Sequence, residues 1–275
     1  MSDLDKRAML KLYLKQYYDY QDVRKAFDNR TDRYWENEGQ YPQLIMELSD
    51  KADEFEETAK KGISEYVKQF QLWNDWMEHV KGIGPVMAGN VIGRICLPRE
   101  DVTVFKRDNL TPKPYWTIEE EDDESWSIST PPIVQTAEKV TQLWSYCGLT
   151  PDSNRESGES LSYDPELKEL FAYKIPGQFM KARGRFKQIL DDKRERLYDE
   201  RDDIESEGHA LGIAKMVAGK IFASHVWMMW RKQHDFPIVK PYIADTDGKH
   251  HTILPFRDAS SKPEDAPADI DIDFV

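Results

Sequence analysis

Val80-Lys81-Gly82-Ile83-Gly84-Pro85-Val86-Met87-Ala88-Gly89-Asn90-Val91-Ile92 is the stretch that decides how this chain is read. It has the form of a helix-hairpin-helix: an apolar helix end, a Gly-Ile-Gly turn, and a second helix opened by Pro85. Gly82 and Gly84 can adopt the positive φ of a tight turn and admit a second backbone at close range. Pro85 suits a first helical position, where its missing N–H costs nothing. Ile83 is expected to fill the gap between the helices, and Ala88 to let them approach. The unsatisfied N–H groups of the second helix then form a site for phosphate. Such a turn holds a nucleic-acid backbone rather than reading bases. The same turn would also serve a plain αα-hairpin that only packs a core.

Working outward, residues 5–36 read as a helix, and Gly39-Gln40-Tyr41-Pro42 breaks the chain. From Gln43 to about His79, apolar residues recur mostly every three or four positions, which predicts one long amphipathic helix. Such a helix would pair in a homodimer or lie buried in a monomer. Residues 98–133 read as a long irregular acidic insertion, punctuated by Pro98, Pro112, Pro114, Pro131 and Pro132. Within it, Thr103-Val104-Phe105 and Tyr115-Trp116-Thr117-Ile118 are short strands or apolar anchors. Helices are expected over 136–146, 165–173 and 176–207, the last bent near Gly184. A core helix follows over 208–234, with Ala210, Ile213, Ala214, Val217, Ile221, Phe222, Val226 and Trp230 on its apolar face. The predicted fold class is therefore mainly α. Three regions are expected: an N-terminal helical region (1–79), a hairpin-containing domain (80–240) and a C-terminal extension (241–275).

The net charge of −13 argues against a protein that coats nucleic acid along its whole surface. Most of that charge is segregated, in Glu119-Glu120-Glu121-Asp122-Asp123-Glu124 and in Glu264, Asp265, Asp269, Asp271 and Asp273. The remainder is nearly neutral and can carry a local basic face. Lys181, Arg183, Arg185 and Lys187 are candidates for it, although that spacing also fits a solvated helix. No apolar run is long enough to span a membrane, and no signal peptide is evident. Cys96 and Cys147 lie in apolar contexts without a CxxC motif, as expected of free thiols in a reducing cytoplasm.

The order of motifs resembles the C-terminal domain of the IS-one-ten insertion-sequence transposases, the bridge-RNA-guided DNA recombinases. Gly82-Ile83-Gly84-Pro85-Val86-Met87-Ala88 and Leu143-Trp144-Ser145-Tyr146-Cys147-Gly148-Leu149-Thr150-Pro151 match that family well. Ser157-Gly158, Gly177-Gln178-Phe179-Met180-Lys181 and Ala214-Lys215-Met216-Val217 match it loosely, so the resemblance covers residues 45–235. It implies that Ser157 stands where the family's serine nucleophile attacks a DNA phosphodiester. The family's metal-organising carboxylates lie in a preceding α/β domain, for which the roughly forty residues before the long helix offer no counterpart. Gln178 also replaces the family's asparagine.

These observations lead to a non-sequence-specific DNA-binding protein of a mobile element or virus, with DNA preferred over RNA. Its phosphate grip would comprise Lys81, Gly82, Ile83, Gly84, Pro85, Val86, Met87, Lys181, Arg183 and Arg185. The alternatives are a recombinase using Ser157, the one case that leaves room for magnesium, and a helical assembly protein without nucleic acid. No cofactor motif is present. His250-His251 with Asp245 and Asp247 fits no standard metal-ligand spacing. The acidic tail Ala266–Val275 would be disordered, lie in the protein's own basic groove, or offer Phe274 to a partner protein.

Overall fold

The computed structural model describes residues 1–38, 43–106, 113–151, 153, 161–201, 203–204, 206–240, 252–258 and 268–275. The fold is mainly α, as the periodicity predicts. Helices α1 (Asp3–Glu38) and α2 (Gln43–Val67) pack antiparallel, with Asp28 against Ser49, Arg24 against Glu56 and Tyr13 against Tyr66. The buried positions of α2 include Ala52, Glu56, Ala59 and Ile63, the alternating four- and three-residue steps of a coiled-coil seam. Gly62 lets Tyr13 into that seam: a Cβ there would lie 2.5 Å from the ring. Glu56, buried in the same seam, accepts from Arg24 at 2.8 Å and from Gln21 at 3.1 Å, so its charge is paired.

The long helix does not continue to His79. It ends at Val67; Phe70 is extended, and the Asn74 side chain caps the freed Lys68 carbonyl at 3.0 Å. Helix α3 (Gln71–Asp75) and a single 3₁₀ turn (Met77–His79) follow. The break redirects Trp73, Trp76 and Met77 from the α1–α2 seam into the main core, where all three are buried. Tertiary burial has overridden a periodicity that local residues would have sustained.

Helix α4 (Pro85–Val91) and the π turn Ile92–Cys96 cross the base of the α1–α2 pair. Gly89 and Gly93, one turn apart, make that crossing close; a Cβ on Gly89 would lie 3.0 Å from Ile63. The region expected to be irregular is instead largely a three-stranded antiparallel sheet of β1 (Arg99–Phe105), β2 (Thr117–Glu120) and β3 (Ser125–Thr130), in the order β1-β3-β2. The acidic block forms the end of the β2–β3 hairpin, where its carboxylates are solvated. Lys106 pairs with Glu120 there. Polar residues hid β3, yet Trp126 and Ile128 do alternate with serines at strand period.

Helices α5 (Ile133–Thr136), α6 (Val140–Tyr146), α7 (Pro165–Glu169), α8 (Ile175–Lys181) and α9 (Arg185–Glu200) surround α10 (Glu207–Gln233). A π turn over Leu170–Lys174 joins α7 to α8 just before Pro176, which cannot donate a helical hydrogen bond. Helix α10 is not one-faced: every residue from Phe222 to Arg231 is buried. Most of its buried polar groups are satisfied internally, His225 Nδ1 being left without a partner among the described residues. Trp144 donates to Ser224, and Arg231 donates to the carbonyls of Pro237, Val134, Gln135 and Ala137. The two thiols are free and buried, and burial pushes both thiol pKa values up, away from reactive thiolate. Among the described residues no helix is long and apolar enough to cross a membrane.

The C-terminal residues join this core. Strands β4 (Phe256–Arg257) and β5 (Ala268–Asp269) pair antiparallel, and Phe256 and Ile272 are buried. The tail is therefore not disordered over 268–275: Ile270, Ile272 and Phe274 pack on the core, while Asp271 and Asp273 between them stay exposed.

The tightest approach is between α10 and the π turn, where a Cβ on Gly219 would lie 1.7 Å from the Phe171 carbonyl oxygen. Gly219→Ala is expected to cost about 3 kcal/mol or more in urea unfolding, because the obstacle is backbone. Gly212→Ala, in the same helix but facing open space, is expected to be neutral or to stabilise by up to about 1 kcal/mol.

Candidate nucleic-acid interface

The turn after the 3₁₀ segment closes with Ile83 N–H donating to Val80 O at 3.0 Å. Gly82 has φ +97°, a conformation that favours glycine. A Cβ there would also lie 3.2 Å from Ala182 Cβ, the Gln178 carbonyl and the Phe179 ring. The close approach that Gly82 permits is thus to the end of α8. Ile83 and Ala88 are buried as expected. Gly84 has a different role. It is the N-cap of α4 with no side-chain cap, and a Cβ there would meet nothing within 4 Å. The hairpin therefore turns one glycine toward the protein and one toward open space.

Packing of the turn on α8 brings together residues about a hundred positions apart. Gly184, the N-cap of α9, lies so close to the hairpin that a Cβ on it would be 2.8 Å from Lys81 Cβ. Lys81, Lys181 and Arg183 surround this junction; all three are exposed, and none forms an ion pair among the described residues. Arg185 is half-buried, lies 4.5 Å from the Phe256 ring centroid and pairs with Asp269. Lys187 is occupied by Asp191 within its own helix. Val86 and Met87, in the first turn of α4, are half-buried.

At the centre of this basic turn is a carboxylate. Asp258 Oδ2 accepts from Lys81 N–H at 2.7 Å, and its Oδ1 accepts from Arg185 N–H at 2.7 Å. Asp258 N–H in turn donates to His79 O at 2.9 Å. The hairpin amide and the first amide of a sixteen-residue helix thus converge on one oxyanion, with the helix dipole aligned to favour it. Sequence reading did not find Asp258. Its only local signal is its place after the apolar run Ile253-Leu254-Pro255-Phe256, and nothing there points to Lys81.

Beneath the turn, Phe256 packs on Phe186 at 4.8 Å and His225 at 5.5 Å between ring centroids, and Trp76 Nε1 donates to the Phe256 carbonyl at 3.0 Å. His225 Nε2 lies 2.8 Å from the Ile253 carbonyl, which only accepts, so Nε2 carries the proton. Burial drives the His225 pKa down to about 4. The Ile253 hydrogen bond and Asp269 oppose that shift, and Arg185 reinforces it.

Ser157 and Gly158 lie outside the described residues, as do His250, His251, Asp245 and Asp247. The flanks of the Ser157 segment are pinned to α6 and α7. Ser153 bonds to Thr150 and to Lys168, and Asp164 N–H donates to Tyr146 O. No known protein family, curated protein or solved structure matches the chain.

His225 gives the site a pH signature. Its folded pKa lies below the ordinary 6.5, so the unfolded chain binds the proton more readily. Its contribution to stability is complete above about pH 6.5 and shrinks as pH falls toward 4, by about 3 kcal/mol in all. Urea midpoints measured across that window should fall more steeply for the wild type than for His225→Gln, which keeps a donor but does not titrate.

Proposed function

We propose that this chain binds the phosphate backbone of DNA, without reading base sequence, through the turn that joins Lys81–Met87 to Lys181–Arg185. The observation that carries this reading is the convergence of Lys81, Lys181, Arg183 and Arg185 on one turn whose backbone amides already hold an oxyanion. Exposed cations on long side chains supply charge, and the amides of the turn supply fixed donors. The open face at Gly84 lets a second backbone approach. Net acidity does not oppose such a contact, because fields between exposed charges decay over roughly 8 Å at physiological salt. The resemblance of the motif order to the transposase C-terminal domain is what supports a setting in a mobile element or virus. The proposed role is binding without strand cleavage.

A second reading, self-association, has its own observation. Leu44, Leu48 and Phe55 are exposed at i, i+4 and i+11, one face of α2, with Leu12 and Val23 exposed on α1. Sedimentation of the wild type against Leu44→Glu/Phe55→Glu tests it; a dimer that the double variant abolishes would support it.

Fluorescence anisotropy with labelled duplex and single-stranded 30-mers, titrated at two salt concentrations, tests the main reading. Replacing Lys81, Lys181 and Arg183 together by alanine should weaken binding by about tenfold or more. It should also flatten the logarithmic salt dependence by up to about 0.9 for each phosphate that the variant no longer neutralises. These side chains are exposed, so stability should not change. Salt-insensitive binding, or binding unaffected by the triple variant, overturns the proposal.

A further inference from the structure

We propose that the C-terminal segment is a built-in competitor of the nucleic acid: the Asp258 carboxylate fills the position that a backbone phosphate would take, and Asp269 neutralises Arg185, so that DNA binds by displacing both. This inference rests on the reading of the basic turn as a phosphate grip and adds its regulation.

The geometry separates this contact from an ordinary helix cap. A helix is usually capped by the side chain of the residue just before it, but the N-cap of α9 is Gly184, which has no side chain. Its cap comes from Asp258, whose carboxylate accepts from Arg185 N–H across 73 positions of sequence and also takes the amide of Lys81. One anion thus bridges the two backbone elements that the cations surround. A phosphate can replace it with the same two hydrogen bonds, because both ligands present paired charged oxygens.

The segment is anchored in the core on both sides of its two carboxylates, and the carboxylate-bearing residues between are held more lightly. Phe256 is fully buried, and His225 and Trp76 bond the carbonyls of Ile253 and Phe256, so the chain up to Phe256 belongs to the core. Beyond it, Ile270, Ile272 and Phe274 pack on the core, and Ile270 N–H donates to Pro255 O and Val275 N–H to Ile238 O, whereas Asp269 itself is held by a strand pair two residues long and an exposed ion pair to Arg185. Exposed pairs of this kind contribute little to stability. Displacement therefore exchanges two amide hydrogen bonds for equivalent ones and releases Arg185. It also adds phosphate interactions from Lys81, Lys181 and Arg183 that the resting state does not make. The field of Asp258 and Asp269 raises the threshold for binding, so that weak or singly charged anions do not open the site.

Two measurements on the full-length chain test this. In the first, Asp258→Asn, Asp269→Asn and their combination are titrated with the labelled duplex. The double variant should bind about tenfold more tightly than the wild type, with the Lys81, Lys181 and Arg183 dependence intact. Equal or weaker binding by a folded double variant overturns the competitor, while lysine-dependent wild-type binding leaves the DNA-binding reading standing. If neither wild type nor variants bind, both fall. In the second, hydrogen exchange is followed on the wild type, so it does not depend on any variant folding. Amides of 257–258 and 268–269 should exchange faster when the duplex is saturating, and those of 253–256 and 270–275 should not change. Unchanged or slower exchange at 257–258 and 268–269 in the complex means that the two carboxylates stay in place, and overturns the proposal.

Discussion

Burial of the Phe256 ring is the interaction on which the arrangement of the basic turn depends. The ring enters an aromatic cluster built from α8, α9, α10 and the Trp76 segment: Phe179 stacks on Phe186 at 4.3 Å, and Phe186, His225 and Trp76 enclose Phe256. Full burial of a phenylalanine contributes on the order of 2–3 kcal/mol from apolar area alone. That gain is local, yet its effect is positional. With Phe256 immobilised, Asp258 lies two residues away, within reach of Lys81 and Arg185. The hydrophobic contact provides the placement and the carboxylate provides the chemistry.

Close backbone approach is the second constraint. Gly82 against α8, Gly89 and Gly93 against the α1–α2 pair, and Gly219 against the Phe171 carbonyl each mark a crossing where a side chain would force the elements apart. Two of these crossings shape the basic turn. Gly82 brings the hairpin onto the end of α8 and so joins Lys81 to Lys181 and Arg183. Gly219 holds α10 against the π turn ahead of α8, which orients the same junction from below. The basic turn is a consequence of how tightly helices can pack. Among the described residues, Arg185 is the member of its cation set that an ion pair occupies.

The parts of this fold that were legible in the sequence are those with local causes. Helices α1 and α10 follow from long runs without Pro, and the tight turn at Gly82 follows from Gly-Ile-Gly-Pro, whose backbone demands are met within five residues. The end of α2 at Val67 was not legible, because the apolar pattern runs on through Trp73. Only the demand of the core for Trp73, Trp76 and Met77 breaks it. The sheet was half legible: Thr103–Phe105 and Thr117–Ile118 fall in β1 and β2, while the serines and the neighbouring carboxylates disguised β3. The tail misled for a similar reason. Its alternating acidic residues suggest a solvated chain, but the residues between them, Ile270, Ile272 and Phe274, face the core at strand spacing.

The sequence by itself determined the helical class and the tight turn at Gly82, and it singled out Lys81, Lys181, Arg183 and Arg185 as candidate cations, since residue type and short-range spacing carry that information. Tertiary structure alone decided that these cations meet, that Gly82 faces the protein while Gly84 faces open space, and that Asp258 lies among them. Each of those facts depends on packing between segments about 70 to 180 residues apart, fixed by side chains in the aromatic core. No pattern along one stretch of chain encodes such a contact, because its energy belongs to neither segment until both are folded.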